Sequence, residues 1–386
     1  MSYAELAWLL ATIITAILVV LSRQRFIKIV IVTTYLYSGA LYLFSLLGVS
    51  NRCFESDYSL LTYCLDDFRY GLLAVIYITY VLMLFIGYSN NQNTIRIEIN
   101  NIRFTPVLIL VFFSVLYVYL DDFGLSRSEL KEGSSKIHFI ATLFTFMVAA
   151  YLYPRARIFL KICLISYCLL ISVISMEREY ITMIMLVIVL SFRKYKAKHA
   201  LLMSAIAVIV LYWKQLYLFI LFGYTPENVL FKLPAEFALG PGLFVNSSEL
   251  GLLGIENFDT SIFSQVFKQF SNVFLGTDYD TMARRASEEA TNNEMGTAYS
   301  HLLELFSNGG FLFVAIFAYT LGYLLRLPFL DNILVDRTLK VFLVVKLMRM
   351  EILVWIKLYV FWIVLIILLL FVISRFSLSA TRLERR

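Results

Sequence analysis

Long apolar segments alternate with short polar connections along this chain, and about eleven of them are long enough, or nearly so, to cross a bilayer. Crossing ~30 Å of hydrocarbon takes about 20 apolar residues, and every backbone group there must be satisfied within its own helix. The pattern therefore predicts an all-α, polytopic transmembrane helical bundle. The predicted spans are residues 4–22, 26–50, 69–89, 106–120, 137–153, 158–175, 180–192, 200–222, 300–325, 333–348 and 352–374.

One connection is far longer than the others and predicts a folded cap on the outer face of the bundle. It divides the chain into residues 1–222 with eight helices, the loop at 223–298, and residues 299–386 with the last three helices and a cytoplasmic tail. Loops of this length are functional or disordered, and here an amphipathic helix that lies along the membrane surface argues against disorder. Its apolar face comprises Phe263, Val266, Phe267, Phe270, Val273 and Phe274.

Composition and charge fit a membrane protein with a defined orientation. Hydrophobic residues make up 60% of the chain and charged residues 16%, which excludes a string of soluble domains. If the N-terminus lies outside, the basic residues concentrate in cytoplasmic connections, as the positive-inside rule requires. The net charge of +6 therefore reports orientation rather than a nucleic-acid surface. Only four of the 27 acidic residues then face the cytoplasm: Glu98, Asp331, Asp336 and Glu384.

The four cysteines fall into two pairs. Cys163 and Cys168 lie within a predicted helix, where free thiols act as small hydrophobic groups. Cys53 and Cys64 share the outward loop Asn51–Phe68, where they either form a bridge in an oxidising compartment or stay reduced.

Charged residues interrupt the apolar pattern most sharply around Arg178. The following apolar run, 181–192, is only a dozen residues long. For that run to span, Glu177, Arg178 and Glu179 must lie near or below the outer headgroups, at a cost of at least ~2.5 kcal/mol for an ion deep in the membrane. Either a cavity or ligand receives them, or they form an internal ion cluster that only packs helices.

A second polar group lies at the end of the long loop and in the helix that follows. Glu304 stands among apolar neighbours within a predicted span, and the spacing of three residues places His301 near it. Each is either a structural residue or a catalytic base. The same group includes Glu294 and Tyr299, together with the doublet Arg284 and Arg285, for which surface solvation is the alternative.

Five arginines are predicted on the outward side, where they could converge: Arg127, Arg178, Arg284, Arg285 and Arg349. Guanidinium groups bind phosphate with two parallel hydrogen bonds. An anionic lipid diphosphate would present its charge at the same depth. With a glutamate or histidine as base, the set favours glycosyl transfer with a diphosphate leaving group.

The segment Gly296–Gly310, which contains Tyr299, His301 and Glu304, resembles the characteristic region of Wzy-type O-antigen polymerases, which join oligosaccharide repeat units. An arginine that opens a helix, as Arg178 does, and one before the last helix, as Arg349 is, are also similar to that family. In the related O-antigen ligases a catalytic histidine stands where Tyr299 stands here, about eleven residues before the helix glycine Gly310.

The resemblance implies a metal-independent enzyme of the GT-C type, without cofactors, in the bacterial inner membrane. Its active site would face the periplasm and its substrates would be glycan repeats linked to undecaprenyl diphosphate. Glu304, His301, Glu294 or Tyr299 would supply the base, and the arginines would hold the diphosphate. Membrane lipids and a protein that regulates chain length are the implied partners.

Two other functions stay open. A metal-dependent transferase that uses polyprenyl-phosphate sugars needs outward carboxylate pairs, and the chain offers Asp66–Asp67, Asp121–Asp122 and Asp278 with Asp280. A transporter of lipid-linked oligosaccharide would have inverted repeats and helices broken near the midplane. No matching halves are evident.

Overall fold

A computed structural model of the chain describes residues 2–46, 53–55, 62–64, 67–90, 149–174, 179–191, 301–328, 333–348 and 352–356. Within these residues the structure is helical apart from one short two-stranded ribbon. The elements are α1 (Tyr3–Leu21), α2 (Arg25–Leu46), β1 (Cys53–Glu55), β2 (Thr62–Cys64), α3 (Asp67–Asn90), α4 (Ile158–Ile174), α5 (Glu179–Ser191), α6 (His301–Arg326), α7 (Ile333–Leu347) and α8 (Ile352–Trp355).

The helical membrane-protein class is confirmed. In the part of the chain that the structure describes, three helices are long and apolar enough to cross a membrane: Tyr3–Leu21, Phe68–Ser89 and His301–Arg326. The shorter apolar helices Ile158–Ser172 and Tyr180–Ser191 also coincide with predicted spans. The predicted spans at 106–120 and 200–222, most of those at 137–153 and 352–374, and the loop at 223–298 lie outside the described residues.

Helix α1 has the side-chain distribution of a lipid-facing helix. Its buried face includes three alanines and a threonine, whereas its exposed face carries large apolar side chains. A helix on a water-soluble protein shows the reverse, with its apolar side chains buried. Thr15 lies on the buried side, where its hydroxyl bonds the Ala11 carbonyl oxygen at 2.7 Å. The exposed face carries large apolar side chains, each between 47% and 78% exposed: Leu6, Leu10, Ile13, Ile17 and Val20.

An aromatic cluster around Trp8 holds α1, α2 and α3 together. The indole is fully buried, and its N–H donates to the Tyr70 carbonyl oxygen at 3.1 Å. Gly39 makes room for the ring, since a Cβ there would lie 2.5 Å from it. The surrounding rings, with centroids 5.2–6.5 Å from Trp8, are Tyr35, Tyr42, Tyr70 and Tyr77.

Contacts along α1 and α3 show that these two helices run in the same direction. Tyr3 stacks on Phe68 at their first turns. Further along, the hydroxyls of Thr15 and Tyr77 are hydrogen-bonded at 2.8 Å. The first turns of both helices therefore lie at the same end of the bundle.

Helix α2 runs the opposite way and α6 the same way as α3. Gln24, just before α2, accepts a hydrogen bond from the hydroxyl of Tyr88 near the end of α3 (2.6 Å). Helix α6 begins with His301 against the Tyr80 ring and ends with Arg326 over the Tyr88 ring. These directions agree with the alternation that the sequence predicts for the corresponding spans.

Glycines allow α3 and α6 to approach with their backbones in contact. A Cβ on Gly87 would overlap the Tyr319 carbonyl oxygen, and a Cβ on Gly322 would overlap the Leu84 carbonyl oxygen. Close approach through small residues is a common way for membrane helices to associate. This crossing fixes α6, and with it the candidate site, against α3.

The chain divides into two compact units by its contacts, and α4 and α5 belong to the second. They pack through an apolar cluster that includes Tyr167, Ile171, Tyr180 and Ile184. Cys163 and Cys168 are free thiols within α4, as predicted, with Cys168 buried.

A helix also forms at the predicted span 333–348, but α7 differs from the apolar helices in its charge. Its 15 residues include Asp336, Arg337, Lys340 and Lys346. The buried side chains of Asp336 and Lys340, one turn apart, form an ion pair at 2.5 Å. That α7 crosses the membrane stays a prediction.

Candidate functional site

His301 and Glu304, two of the predicted catalytic residues, lie in the first turn of α6 and are both buried. His301 is 2% exposed and Glu304 is 0% exposed. The His301 ring meets the Tyr80 ring edge to face, with centroids 5.2 Å apart. Both predicted residues are therefore interior groups of the bundle rather than surface residues.

The position of Tyr80 indicates how deep this site lies. Tyr80 comes 13 residues after Asp67, the first residue of α3, and a rise of 1.5 Å per residue places it about 20 Å along that helix. His301, the first described residue of α6, therefore lies beside the middle of α3. Ionisable residues within membrane-spanning helices are rare and are candidates for functional sites.

The Glu304 carboxylate binds a backbone group that is distant in sequence. Its Oε2 accepts a hydrogen bond from the Ile352 N–H at 2.8 Å, across a separation of 48 residues. Ile352 is the first residue of α8 and stands three positions after Arg349, which itself lies outside the described residues. The bond joins the first turn of α6 to the segment that follows this predicted phosphate-binding arginine.

Helix α6, which coincides with the predicted span at 300–325, is interrupted five residues after Glu304. Gly309 (φ −177°, ψ 23°) and Gly310 (φ 60°, ψ −152°) are both non-helical. Before the break, the Ser307 hydroxyl and the Asn308 amide donate to the Glu304 carbonyl oxygen at 3.1 Å and 2.6 Å. These side-chain donors bond a carbonyl oxygen in the turn that precedes the break.

The break depends on glycine at position 310. Its φ of 60° with ψ of −152° lies in a region essentially restricted to glycine. A Cβ at this position would meet nothing within 4 Å, so the backbone conformation and not crowding requires the glycine. The two halves of α6 can therefore differ in direction at the site.

Two buried polar atoms in the site are left without hydrogen-bond partners in the part of the chain that the structure describes. They are the Tyr80 hydroxyl and Nε2 of His301. Such groups each cost about 1–3 kcal/mol when nothing satisfies them, and native proteins retain few of them. They are available to a substrate hydroxyl or to water.

The other predicted site residues cannot be placed, because they lie outside the described residues. This applies to Arg127, Arg178, Arg284, Arg285, Arg349, Glu294 and Tyr299.

Tyr80 is a candidate site residue that the sequence analysis missed. It is one of 25 tyrosines in the chain, and it stands in an apolar helix with no charged or glycine-rich pattern around it. Chemically, the site combines a carboxylate that is fixed by an amide, an imidazole and a phenol. This set can accept a proton from a hydroxyl and orient that hydroxyl.

Comparisons with protein-family models, with curated proteins and with solved structures find no match for this chain.

Proposed function

We propose that this protein is a glycosyltransferase of the bacterial inner membrane that polymerises oligosaccharide repeat units carried on undecaprenyl diphosphate. The observation that carries the proposal is the buried Glu304 carboxylate, held by the Ile352 N–H at 2.8 Å. Burying a carboxylate within an apolar bundle is costly, so such a residue is a candidate for a function, and proton transfer from a sugar hydroxyl is a function suited to it.

The reaction transfers the growing glycan from one lipid diphosphate to the next repeat unit. A hydroxyl oxygen of the acceptor bonds to the anomeric carbon of the donor, while the bond from that carbon to the diphosphate oxygen breaks. Glu304 takes the hydroxyl proton, with His301 and Tyr80 orienting the acceptor. Undecaprenyl diphosphate departs with the electron pair of the broken bond.

Arginines stabilise the departing diphosphate in this proposal. Arg178, Arg284, Arg285, Arg127 and Arg349 are the candidates, because a guanidinium group forms paired hydrogen bonds with phosphate oxygens. The Glu304–Ile352 bond supports a role for Arg349, since it brings a residue three positions beyond this arginine to the candidate base. No metal or cofactor is needed for these steps.

A glycan gel of a strain that lacks the protein tests the proposal. Loss of a polymerase leaves surface glycolipids capped with a single repeat in place of a ladder of lengths. The wild-type chain restores the ladder, whereas Arg178→Ala and Arg284→Ala leave the single repeat. Normal ladders from those two variants, at normal protein levels, would refute the arginine assignment.

The interruption of α6 favours a second candidate, a transporter of lipid-linked oligosaccharide. Broken helices near the bilayer midplane are typical of transporter binding sites, and Gly309 and Gly310 break α6 eight and nine residues after His301, which lies against Tyr80 of α3. The same gel separates the two functions. Without a transporter no repeat reaches the outer face, so the single-repeat product is absent as well.

A further inference from the structure

The connection between α2 and α3 contains a small antiparallel ribbon whose register brings two cysteines opposite one another. Strand β1 pairs with β2 so that Cys53 faces Cys64, Phe54 faces Tyr63, and Glu55 faces Thr62. The sequence placed both cysteines in one loop and left their pairing open. The backbone register supplies it.

The geometry of an antiparallel pair suits a disulfide at this position. Directly opposed residues have Cα atoms about 4.5 or 5.5 Å apart, according to their hydrogen-bonding position. Disulfides span Cα separations of about 4.4–6.8 Å, so either position is compatible. Opposed residues also lie on the same face of the ribbon, whereas neighbours along a strand alternate between faces.

We propose that Cys53 and Cys64 form an intramolecular disulfide in the mature protein. The bond forms by thiol–disulfide exchange with a disulfide-donating protein of the extracytoplasmic compartment. The two thiols lose two protons and two electrons, and the donor's disulfide is reduced to two thiols. The proposal is independent of the catalytic function.

The disulfide also reports on the orientation of the whole helical unit. β2 ends at Cys64, and α3 begins at Asp67 only three positions later. Disulfides persist in oxidising compartments, so the bond places the first turn of α3 on the extracytoplasmic side. Because α1 and α6 run in the same direction as α3, the orientation of all three helices follows.

Counting accessible thiols in the full-length protein tests the proposal. Cells are quenched with acid, and the denatured protein is labelled with a maleimide–polyethylene glycol reagent before and after reduction. With four cysteines in the chain, of which Cys163 and Cys168 are free, the expected result is two adducts before reduction and four after it. Cys64→Ser gives three adducts in both conditions.

Two matched variants test the register itself. Cys64→Ser combined with Tyr63→Cys keeps four cysteines but puts one on the other face of the ribbon, so four adducts are expected before reduction. Cys53→Ser and Cys64→Ser combined with Phe54→Cys and Tyr63→Cys rebuild an opposed pair. That variant is expected to give two adducts before reduction and four after it.

Four adducts from the wild-type chain before reduction would overturn the proposal. A dimer that disappears on reduction would overturn it as well, because the bond would then join two copies. Oxidised glutathione added to the purified protein identifies which premise failed. If the purified protein forms the disulfide with oxidised glutathione, the ribbon faces a reducing compartment in the cell. If the disulfide does not form, the register of the ribbon is wrong.

Discussion

The Glu304 carboxylate accepts the backbone N–H of Ile352 at 2.8 Å, and this bond ties the first turn of α6 to the start of α8. The carboxylate is fully buried, so the amide it binds has no access to bulk water. One side chain therefore has two roles that separate variants can distinguish. It links α6 to α8 through the bond to Ile352, and it is the proposed catalytic base.

Glu304→Gln and Glu304→Ala are expected to differ in stability. Glutamine keeps an oxygen that accepts a hydrogen bond from the Ile352 N–H. The unfolding temperature of Glu304→Gln in detergent therefore stays close to that of the wild type. Alanine leaves a buried N–H without a partner and opens a cavity, which lowers the free energy of unfolding by about 1–3 kcal/mol for the N–H alone. Thermal unfolding measured by tryptophan fluorescence checks this difference.

The control for these variants is Glu5→Gln, at the start of α1. Glu5 accepts a hydrogen bond from the Ser2 N–H at 2.8 Å, which glutamine also preserves, and Glu5 has no proposed role in the reaction. Equal stabilities of Glu304→Gln and Glu304→Ala would show that the bond to Ile352 contributes little.

Tyr80→Phe is expected to keep or raise stability while it impairs activity. The hydroxyl is buried without a partner in the described part of the chain, so its removal relieves a desolvation cost of about 1–3 kcal/mol. Tyr77→Phe is the matched control on the same helix, because the Tyr77 hydroxyl is bonded to Thr15 at 2.8 Å. That variant should lose about 1 kcal/mol.

Unfolding midpoints and glycan ladders of the two tyrosine variants are measured in parallel. Shorter ladders from Tyr80→Phe, with unchanged stability, would support a substrate contact at the hydroxyl. If Tyr80→Phe were instead destabilised as much as Tyr77→Phe, its hydroxyl would have a structural partner.

Gly310→Ala is expected to destabilise the protein through its backbone conformation. The cost of a side chain at this φ and ψ is about 1–3 kcal/mol, since nothing crowds the position. Gly310→Asn is expected to lose as much stability as Gly310→Ala. Asparagine tolerates the left-handed helical region but not ψ near −152°. Wild-type stability of Gly310→Ala would show that α6 is continuous.

Gly87→Ala and Gly322→Ala are each expected to separate α3 from α6. A Cβ at either position overlaps a backbone carbonyl oxygen of the other helix, and such overpacking costs about 1–3 kcal/mol. The double variant should lose less stability than the two single variants together. One increase in the distance between α3 and α6 relieves both overlaps. Leu312→Ala, at a position that is 72% exposed, is the neutral control.

The helix positions were predictable because charges bound the apolar runs. Arg23 and Arg25 mark the turn between α1 and α2, and both helices lie within a few residues of their predicted limits. In each case a local signal, the solvation cost of charge in lipid, fixes the boundary.

Features that depend on distant parts of the chain were not predictable in this way. The Glu304–Ile352 bond crosses 48 residues, and nothing in the local sequence of Ile352 marks its amide. Strands of three residues, as in β1 and β2, are too short to show an alternating pattern. The glycine pair at 309 and 310 is a visible helix breaker, but the predicted span at 300–325 assigned no break to it.

Polymerisation by the purified protein tests the central claim most directly. The wild-type chain in lipid nanodiscs is given a synthetic repeat unit on undecaprenyl diphosphate, with EDTA present, and the products are resolved by mass spectrometry. The account predicts glycans of two or more repeats with one undecaprenyl diphosphate released per bond formed, and no product from the folded Glu304→Gln variant. Wild-type yields from Glu304→Gln, or no elongation by the wild-type chain until a divalent metal is restored, would contradict it.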